Sequence, residues 1–282
     1  MSGPACSVAS LAADESLVGT ATNSVERWLL LEVTDSWDPK PLESEALSGS
    51  VRARLSHWLE DPTTRLQLIR RPGRSGKWPL FMVVSSATET VARVELESHE
   101  DLLRVELDAL EAGPSEPIVL VCVHGRRDRC CARHGSTVYR ALQHRDLDVW
   151  QTSHLGGHRF AACVVTLPDG LMYGRVRAED AEAFANASKK RQVANLDLFR
   201  GRCAYDQPAQ AAEIFLRKRS GERSIDAFQW IGTTLDAKQA WTVRFRAPSG
   251  EQTIQLRLEH TGMMRPASCN AEPEEITRFV ET

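Results

Sequence analysis

The sequence predicts an α/β protein built on a mixed sheet. Apolar runs of strand length alternate with helical repeats along most of the 282 residues. A Pro-Asp-Gly turn at 168–170 lies between two apolar runs and predicts an antiparallel hairpin within the sheet. Apolar residues make up 42% of the chain and charged residues 26%, which is typical of a folded globular protein.

Small, polar residues without periodicity fill positions 1–24 and predict a flexible leader. An α/β domain is predicted for residues 25–115. Its predicted strands lie at 28–33, 66–70, 81–85 and 91–97, and its predicted helices at 43–60 and 99–112. The first helix is predicted because its apolar residues recur every three or four positions, at Leu47, Val51, Leu55, Trp58 and Leu59. Proline and glycine predict a loop at 70–79.

The second half, residues 116–194, repeats this order. Predicted strands lie at 118–123, 149–152, 160–166 and 171–176, and predicted helices at 135–144 and 178–190. The order β-α-β-β-β-α is that of a thioredoxin-like unit, and the similar first half suggests a degenerate copy of it. Residues 195–282 are predicted to add a helix at 209–218 and a small antiparallel meander with strands at 228–231, 241–246 and 253–258.

Charge and hydropathy narrow the functional classes. Thirty-five basic and 38 acidic residues give a net charge of −3, without the basic excess that nucleic-acid binding requires. No apolar run reaches the roughly 18 residues of a membrane span. The first residues lack a basic start and an apolar core, so we expect no secretory signal and a cytoplasmic location. Seven cysteines, an odd number, argue against a disulfide framework in that compartment.

Two loops carry the residues of chemical interest. Cys122 ends a predicted strand, and Cys130 and Cys131 close the loop 124–134 that follows it. His154 and His158 lie on the loop after the next strand, and consecutive strands of such a sheet deliver their loops to one end. Four arginines (126, 127, 129 and 133) and a helix N-terminus favour thiolate at this end of the sheet.

Gly156 and Gly157 stand between the two histidines and predict a tight loop rather than a helix. Two cysteines and two histidines suit either zinc or an iron–sulfur centre. The nine-residue step from Cys122 to Cys131 differs from the short spacing of common structural zinc sites.

The motif C-V-H-G-R-R-D-R-C-C (122–131), the motif H-L-G-G-H (154–158), and the following apolar strand and P-D-G resemble the sucrase/ferredoxin-like family of thioredoxin-like 2Fe–2S proteins. R-W-L-L-L-E near the start and S-C-N-A-E-P-E (268–274) extend the likeness over residues 16–275. The resemblance implies that Cys122, Cys131, His154 and His158 are the cluster ligands. Cys130 is then an unmatched neighbour.

The function implied by this resemblance is electron transfer through one 2Fe–2S cluster between redox partners. The four loop arginines either steer a redox partner protein that is acidic where it docks or form only a solvated loop. Two imidazoles in place of two thiolates raise the reduction potential, as in Rieske centres. The sequence carries no nucleotide, nucleophile-elbow or zincin motif and no carboxylate pair for sugar hydrolysis, which favours an electron carrier over a self-contained enzyme.

Two other functions remain open. The first is a structural zinc protein that uses the same four residues. The second is a thiol oxidoreductase that uses Cys130 and Cys131, although it lacks the C-x-x-C spacing of such enzymes. Among the other cysteines, Cys163 is expected in the core. Cys269 is expected in a surface turn, with a tail that covers the site as the alternative, and the sequence carries no partner signal for Cys6 and Cys203.

Overall fold

A nine-stranded mixed sheet runs through both halves of the protein. The computed structural model describes residues 4–73, 78–269 and 271–282, so part of the loop predicted at 70–79 lies outside the described residues. The strands of this sheet are β1 (Arg27–Glu32), β2 (Thr64–Arg70), β3 (Leu80–Ser85), β4 (Thr90–Glu95), β5 (Ile118–Cys122), β6 (Asp148–Thr152), β7 (Val164–Leu167), β8 (Leu171–Tyr173) and β9 (Phe199–Arg202). Their order across the sheet is β4-β3-β1-β2-β6-β5-β7-β8-β9.

Helices and a second, smaller sheet complete the fold. The α-helices of the described residues are α1 (Cys6–Ala12), α2 (Gly49–Trp58), α3 (Arg129–Gln143), α4 (Ala181–Lys189) and α5 (Gln207–Ser220). The smaller sheet is an antiparallel meander of β10 (Gln229–Leu235), β11 (Trp241–Ala247), β12 (Gly250–Pro266) and β13 (Pro273–Glu281). In the described part of the chain, no helix is both long enough and apolar enough to span a bilayer.

The two halves of the large sheet share one topology. In each half the first two strands are parallel, and the third and fourth strands extend the sheet antiparallel on the other side of the first. The halves meet where Ile69 and Arg70 of β2 pair with Thr152 and Gln151 of β6. The predicted mixed α/β fold is therefore confirmed, and the first half repeats the strand arrangement of the second. The domain boundaries remain a prediction, since one sheet passes through both halves.

Alternating side chains of the strands build a core on each face of this sheet. Leu29 and Leu31 of β1 face a layer that contains apolar residues of α2, α3 and α4, whereas Trp28 and Leu30 face the opposite side. The same alternation in β5 places Cys122 on the second face. That face is covered by residues 17–25 and by loops. The Cys122 side chain therefore lies in this second core, together with Cys131 and Leu155.

Several predicted helix boundaries require correction. The stretch 99–112 is not an α-helix but two short 3-10 turns, His99–Arg104 and Leu107–Ala109. Only Leu102 is buried in these turns, so the stretch lacks the continuous apolar stripe that stabilises an amphipathic helix. The helix predicted at 135–144 begins earlier, at Arg129, because the Asp128 side chain accepts a hydrogen bond from the backbone N–H of Cys130 and caps the helix.

Strands of the second half also differ from the prediction. The strand predicted at 160–166 begins only at Val164, after a 3-10 turn at His158–Phe160. The hairpin around the Pro-Asp-Gly turn is confirmed, since β7 pairs antiparallel with β8. Strands β9 and β13 were not predicted. β13 carries charged residues along most of its length, so its sequence shows little apolar alternation.

The predicted flexible leader forms helix α1, and Cys6 and Ser10 of this helix are fully buried. Glu15 then anchors the segment to the C-terminal sheet, because Arg265 donates hydrogen bonds of 2.8 and 2.5 Å to its carboxylate. Arg159 adds a further bond of 2.8 Å. The side chains of Glu15 and Arg265 are each only 4% exposed, so this ion pair lies inside the protein.

We expect Glu15→Gln to lower the free energy of unfolding by about 3 kcal/mol at pH 7, since it removes the buried counter-charge of Arg265 and leaves only the half-exposed Glu274 paired with it. Burial alone would raise the pKa of Glu15, but Arg265 and Arg159 outweigh it and lower that pKa below 4.5. The stabilisation is therefore complete above the unfolded-state pKa and disappears as the pH falls through the folded-state pKa.

Urea denaturation of wild type and variant between pH 7 and pH 3 measures this difference. The exposed Glu272→Gln is the control and should change stability by less than about 0.5 kcal/mol. A Glu15→Gln effect that stays constant over the whole pH range would contradict the assignment.

Candidate metal centre

Two neighbouring strands bring the predicted cysteine and histidine loops together. Cys122 is the last residue of β5, and its partner in the parallel register is Thr152, the last residue of β6. His154 follows only two residues later. Because parallel strands end at the same sheet edge, the loops after β5 and β6 start side by side. The expected convergence of the two loops is thus present in the structure.

Helix α3 places Cys131 against the end of β5. Cys131 is in the first turn of the helix rather than in the preceding loop, and it is 1% exposed, as is Cys122. Gly135 allows this approach: a Cβ at this position would lie 1.9 Å from the backbone oxygen of Cys122. Only glycine therefore lets the helix pack directly on the strand that carries the first thiol.

Three of the four predicted ligands form a compact group. The ligand atoms of Cys122, Cys131 and His154 all lie within 4.8 Å of one another, and Cys131 Sγ is 3.8 Å from His154 Nδ1. His158 stacks on His154, with ring centroids 4.6 Å apart and the ring planes inclined by 25°. Within the described residues, the buried His158 Nδ1 has no hydrogen-bond partner. An unpartnered buried nitrogen at this position is what a metal ligand would leave in the absence of metal.

The protonation states suit metal binding. The Cys131 thiol donates a hydrogen bond that lowers the pKa of Cys122 well below its usual value, even though burial raises it. The Cys131 pKa is raised, first by this bond to Cys122 and then by burial. Burial, with the neighbouring His154, lowers the pKa of His158 to about 4. The lowered pKa of Cys122 favours the thiolate form that binds metal, and at neutral pH His158 is the neutral imidazole that metals bind.

The loop between the histidines is held by buried partners. Gly156 and Gly157 adopt φ values of +101° and +72°, as the two-glycine motif predicts. Arg200 donates to the Gly156 carbonyl over 3.0 Å, and the Cys163 thiol donates to the Gly157 carbonyl over 3.3 Å. A Cβ on Gly157 would lie 2.5 Å from an Arg200 guanidinium nitrogen. The glycines therefore let the loop wrap around the buried Arg200, for which the sequence carries no local signal.

A further set of side chains fixes the backbone of His154. His124 Nδ1 accepts a 3.2 Å bond from the His154 N–H, while His124 Nε2 lies 3.3 Å from the Trp37 carbonyl. Arg65 and Gln67 of β2 donate to the His154 carbonyl over 3.2 and 3.4 Å. The first half of the chain therefore contributes directly to the site. Its signal in the sequence is weak, because polar residues inside β2 read as ordinary strand alternation.

The arginine-rich loop lies beside this centre. Arg126 pairs with Asp38 over 2.9 Å. Arg127 lines a cleft of about 360 Å³ together with Lys40, Arg65 and His154. The described part of this cleft carries basic side chains, and one of the predicted ligands forms part of its wall. The positive charge expected at this end of the sheet therefore lies next to His154.

Among the other cysteines, Cys163 is a core residue as predicted, and Cys203 is also buried. Cys6, Cys130 and Cys269 come together in a second group with Asp128. Cys269 lies in a partly exposed turn, as expected, but its thiol is 3.4 Å from the Cys130 thiol. Cys6, for which the sequence carries no partner signal, contacts both of these thiols. Contacts between residues so far apart in the chain produce no local sequence pattern from which they could be predicted.

Comparisons with known proteins found a curated relative, solved structures and a family model that are similar to this chain. A curated relative, the altered inheritance of mitochondria protein 32 of Meyerozyma guilliermondii, is 28% identical over 118 residues, which cover 38% of this chain. The match spans 42% of that relative's own length.

Solved structures of a thioredoxin-like 2Fe–2S ferredoxin from Aquifex aeolicus also match. One structure and one cysteine-to-serine variant are each 25% identical to this chain, with a TM-score of 0.23. Each match covers 26% of this chain. It covers 80% of the chain in the first structure and 87% of the variant.

The family model for sucrase/ferredoxin-like proteins matches residues 17–201, which include both halves of the large sheet and all four predicted ligands. On this match, the chain belongs to the sucrase/ferredoxin-like family.

Proposed function

We propose that the protein is an electron carrier with one 2Fe–2S cluster held by Cys122, Cys131, His154 and His158. The observation that carries the proposal is the meeting of two buried thiols with two stacked imidazoles, one of which has a buried nitrogen without a partner among the described residues. Two sulfur and two nitrogen donors are the ligand set of histidine-bound 2Fe–2S centres. When bound, such a group accepts and releases one electron at a time.

The residues of the chain serve this role in different ways. The two thiols, each 1% exposed, bind in a dry environment, which limits access of water and oxidants to the sulfur atoms. His154 and His158 are partly exposed and lie nearer the surface. We infer that the cysteines bind the inner iron and the histidines the outer iron, so that the electron enters and leaves on the histidine side.

The basic cleft beside His154 supports a partner protein with an acidic contact surface. Arg127 and Lys40 on its wall would attract carboxylates and orient the partner toward the histidine edge. Transfer between the two proteins should then slow as the salt concentration rises, because surface charges are screened.

An anaerobic preparation examined by absorption and electron paramagnetic resonance tests the function. We expect a coloured protein with two irons and two inorganic sulfides per chain, and a reduced form with a signal from one unpaired electron. A colourless protein that carries one zinc at these four residues would contradict the proposal, because zinc has neither colour nor redox chemistry.

Replacing either ligand histidine by cysteine should keep the cluster but lower its reduction potential. A thiolate adds negative charge next to the irons, and all-cysteine ferredoxins lie hundreds of millivolts below histidine-bound centres. We expect His154→Cys and His158→Cys each to lower the potential by on the order of 100 mV. Protein-film voltammetry on purified variants measures the change.

His144→Cys is the matched control, since His144 is an exposed residue at the end of α3 and the substitution adds the same thiol elsewhere. Its potential should equal that of the wild type. Unchanged potentials in both ligand variants would show that the histidines do not bind the irons.

A further inference from the structure

We propose a second metal site, in which the thiolates of Cys6, Cys130 and Cys269 and the carboxylate of Asp128 bind one divalent ion of the zinc class. The site is independent of the proposed cluster and shares none of its ligands. It would join the N-terminal helix and the C-terminal sheet to the start of α3, next to Cys131.

Three distant segments of the chain build this group. Cys6 is the first residue of α1, Cys130 lies in the first turn of α3, and Cys269 lies in the connection between β12 and β13. Cys6 and Cys130 are 124 positions apart, and Cys130 and Cys269 are 139 apart. Cys6 and Cys130 are almost fully buried, and Cys269 is partly exposed. Three separate segments thus deliver one thiol each to one point.

The three sulfur atoms form a nearly equilateral triangle. Cys6 Sγ is 3.6 Å from Cys130 Sγ, Cys130 Sγ is 3.4 Å from Cys269 Sγ, and Cys269 Sγ is 3.7 Å from Cys6 Sγ. In a tetrahedral zinc site with Zn–S bonds of about 2.3 Å, two sulfurs are separated by roughly 3.8 Å. The triangle therefore has nearly the size of one face of a zinc tetrahedron.

Asp128 lies at the position of the fourth ligand. Its carboxylate oxygens are 3.3 Å from Cys269 Sγ and 3.7 Å from Cys6 Sγ, and all four ligand atoms lie within 4.8 Å of one another. The backbone N–H groups of Cys130 and Cys269 donate to this carboxylate over 2.8 and 3.0 Å. These bonds orient the carboxylate as metal-bound carboxylates usually are oriented, and each oxygen keeps a lone pair for the ion.

Polar and charged neighbours offset the negative charge of such a site. Ser7 Oγ donates to Cys130 Sγ over 3.3 Å. The Arg129 guanidinium lies beside Cys269. The N-terminus of α3 adds partial positive charge at this point.

Two adjacent cysteines serve different sites. Successive helical residues point about 100° apart, so Cys130 faces Cys6 and Cys269 while Cys131 faces Cys122 and His154. Binding of the ion would deprotonate the three thiols and release up to three protons to solvent, with no change of oxidation state. A disulfide would need an oxidant and would use only two of the three sulfurs.

Cobalt(II) titration of the reduced full-length chain tests the site, because tetrahedral cobalt–thiolate centres absorb visible light. The double variant C122S/C131S removes the sulfur ligands of the first centre. In this background we expect one cobalt per chain with a tetrahedral thiolate spectrum, displaced by one equivalent of zinc. Addition of C6S and C269S should abolish the spectrum. Addition of C163S and C203S, which replace two buried cysteines elsewhere, should preserve it.

Elemental analysis of the cluster-loaded protein is a second test, which measures zinc and iron and does not require the C122S/C131S variant to fold. We expect zinc to accompany iron in wild type, and C6S/C269S to lose the zinc while retaining the iron. Cobalt–thiolate absorption that survives C6S/C269S in the C122S/C131S background would overturn the proposal, as would a reduced, folded chain that binds no ion. A disulfide among the three cysteines in protein kept reduced would also overturn it. The cobalt outcomes do not depend on whether the first centre holds a cluster.

Discussion

Cys131→Ser is expected to reduce bound iron from two atoms per chain to almost none. Cys131 is buried, its sulfur contacts both Cys122 and His154, and the hydroxyl of serine is a weak ligand for iron at neutral pH. The fold should persist, because serine is nearly isosteric and α3 keeps its Asp128 cap. Iron and sulfide analysis together with the visible spectrum measures the loss.

Cys163→Ser is the matched control for this experiment. Cys163 is equally buried and lies on the same face of the sheet, but its thiol donates to the Gly157 and Phe160 carbonyls, and a serine hydroxyl can make the same bonds. The control should retain its iron. If Cys131→Ser and Cys163→Ser kept equal amounts of iron, Cys131 would not be a ligand.

Gly135→Ala is expected to be severely destabilising, by about 3 kcal/mol or more, because the added methyl group would overlap the backbone of Cys122 at 1.9 Å. Backbone cannot move aside as a flexible side chain can. Helix α3 must therefore move away from β5, which separates Cys131 from Cys122. Thermal unfolding and iron content of the variant should fall together.

Gly49→Ala provides the comparison, since Gly49 is also helical and a Cβ there meets no atom within 4 Å. Alanine at this position should raise stability by up to about 1 kcal/mol. A tolerated Gly135→Ala would show that α3 does not require its close packing on the strand that ends in Cys122.

Local patterns in the sequence determined the type and order of most elements. The continuous apolar run of β5, the Pro-Asp-Gly hairpin and the two glycines between the histidines each depend on residues a few positions apart. The same patterns place Cys122 at a strand end and the histidines after the next strand, so the sequence predicts their convergence. Patterns that mix helix and turn signals, such as 99–112, gave a wrong prediction because only Leu102 of its 3-10 turns is buried.

Only the tertiary structure decided which distant side chains meet. Arg200 beneath the histidine loop, Gln67 behind His154, and the group of Cys6 and Cys269 around Cys130 connect residues from different parts of the chain. Whether a cysteine is isolated or part of a site depends on how helices and sheets pack, and packing energy is not encoded in local periodicity. The sequence therefore identified one candidate centre from its spacing, while the second became visible only when both ends of the chain were folded against α3.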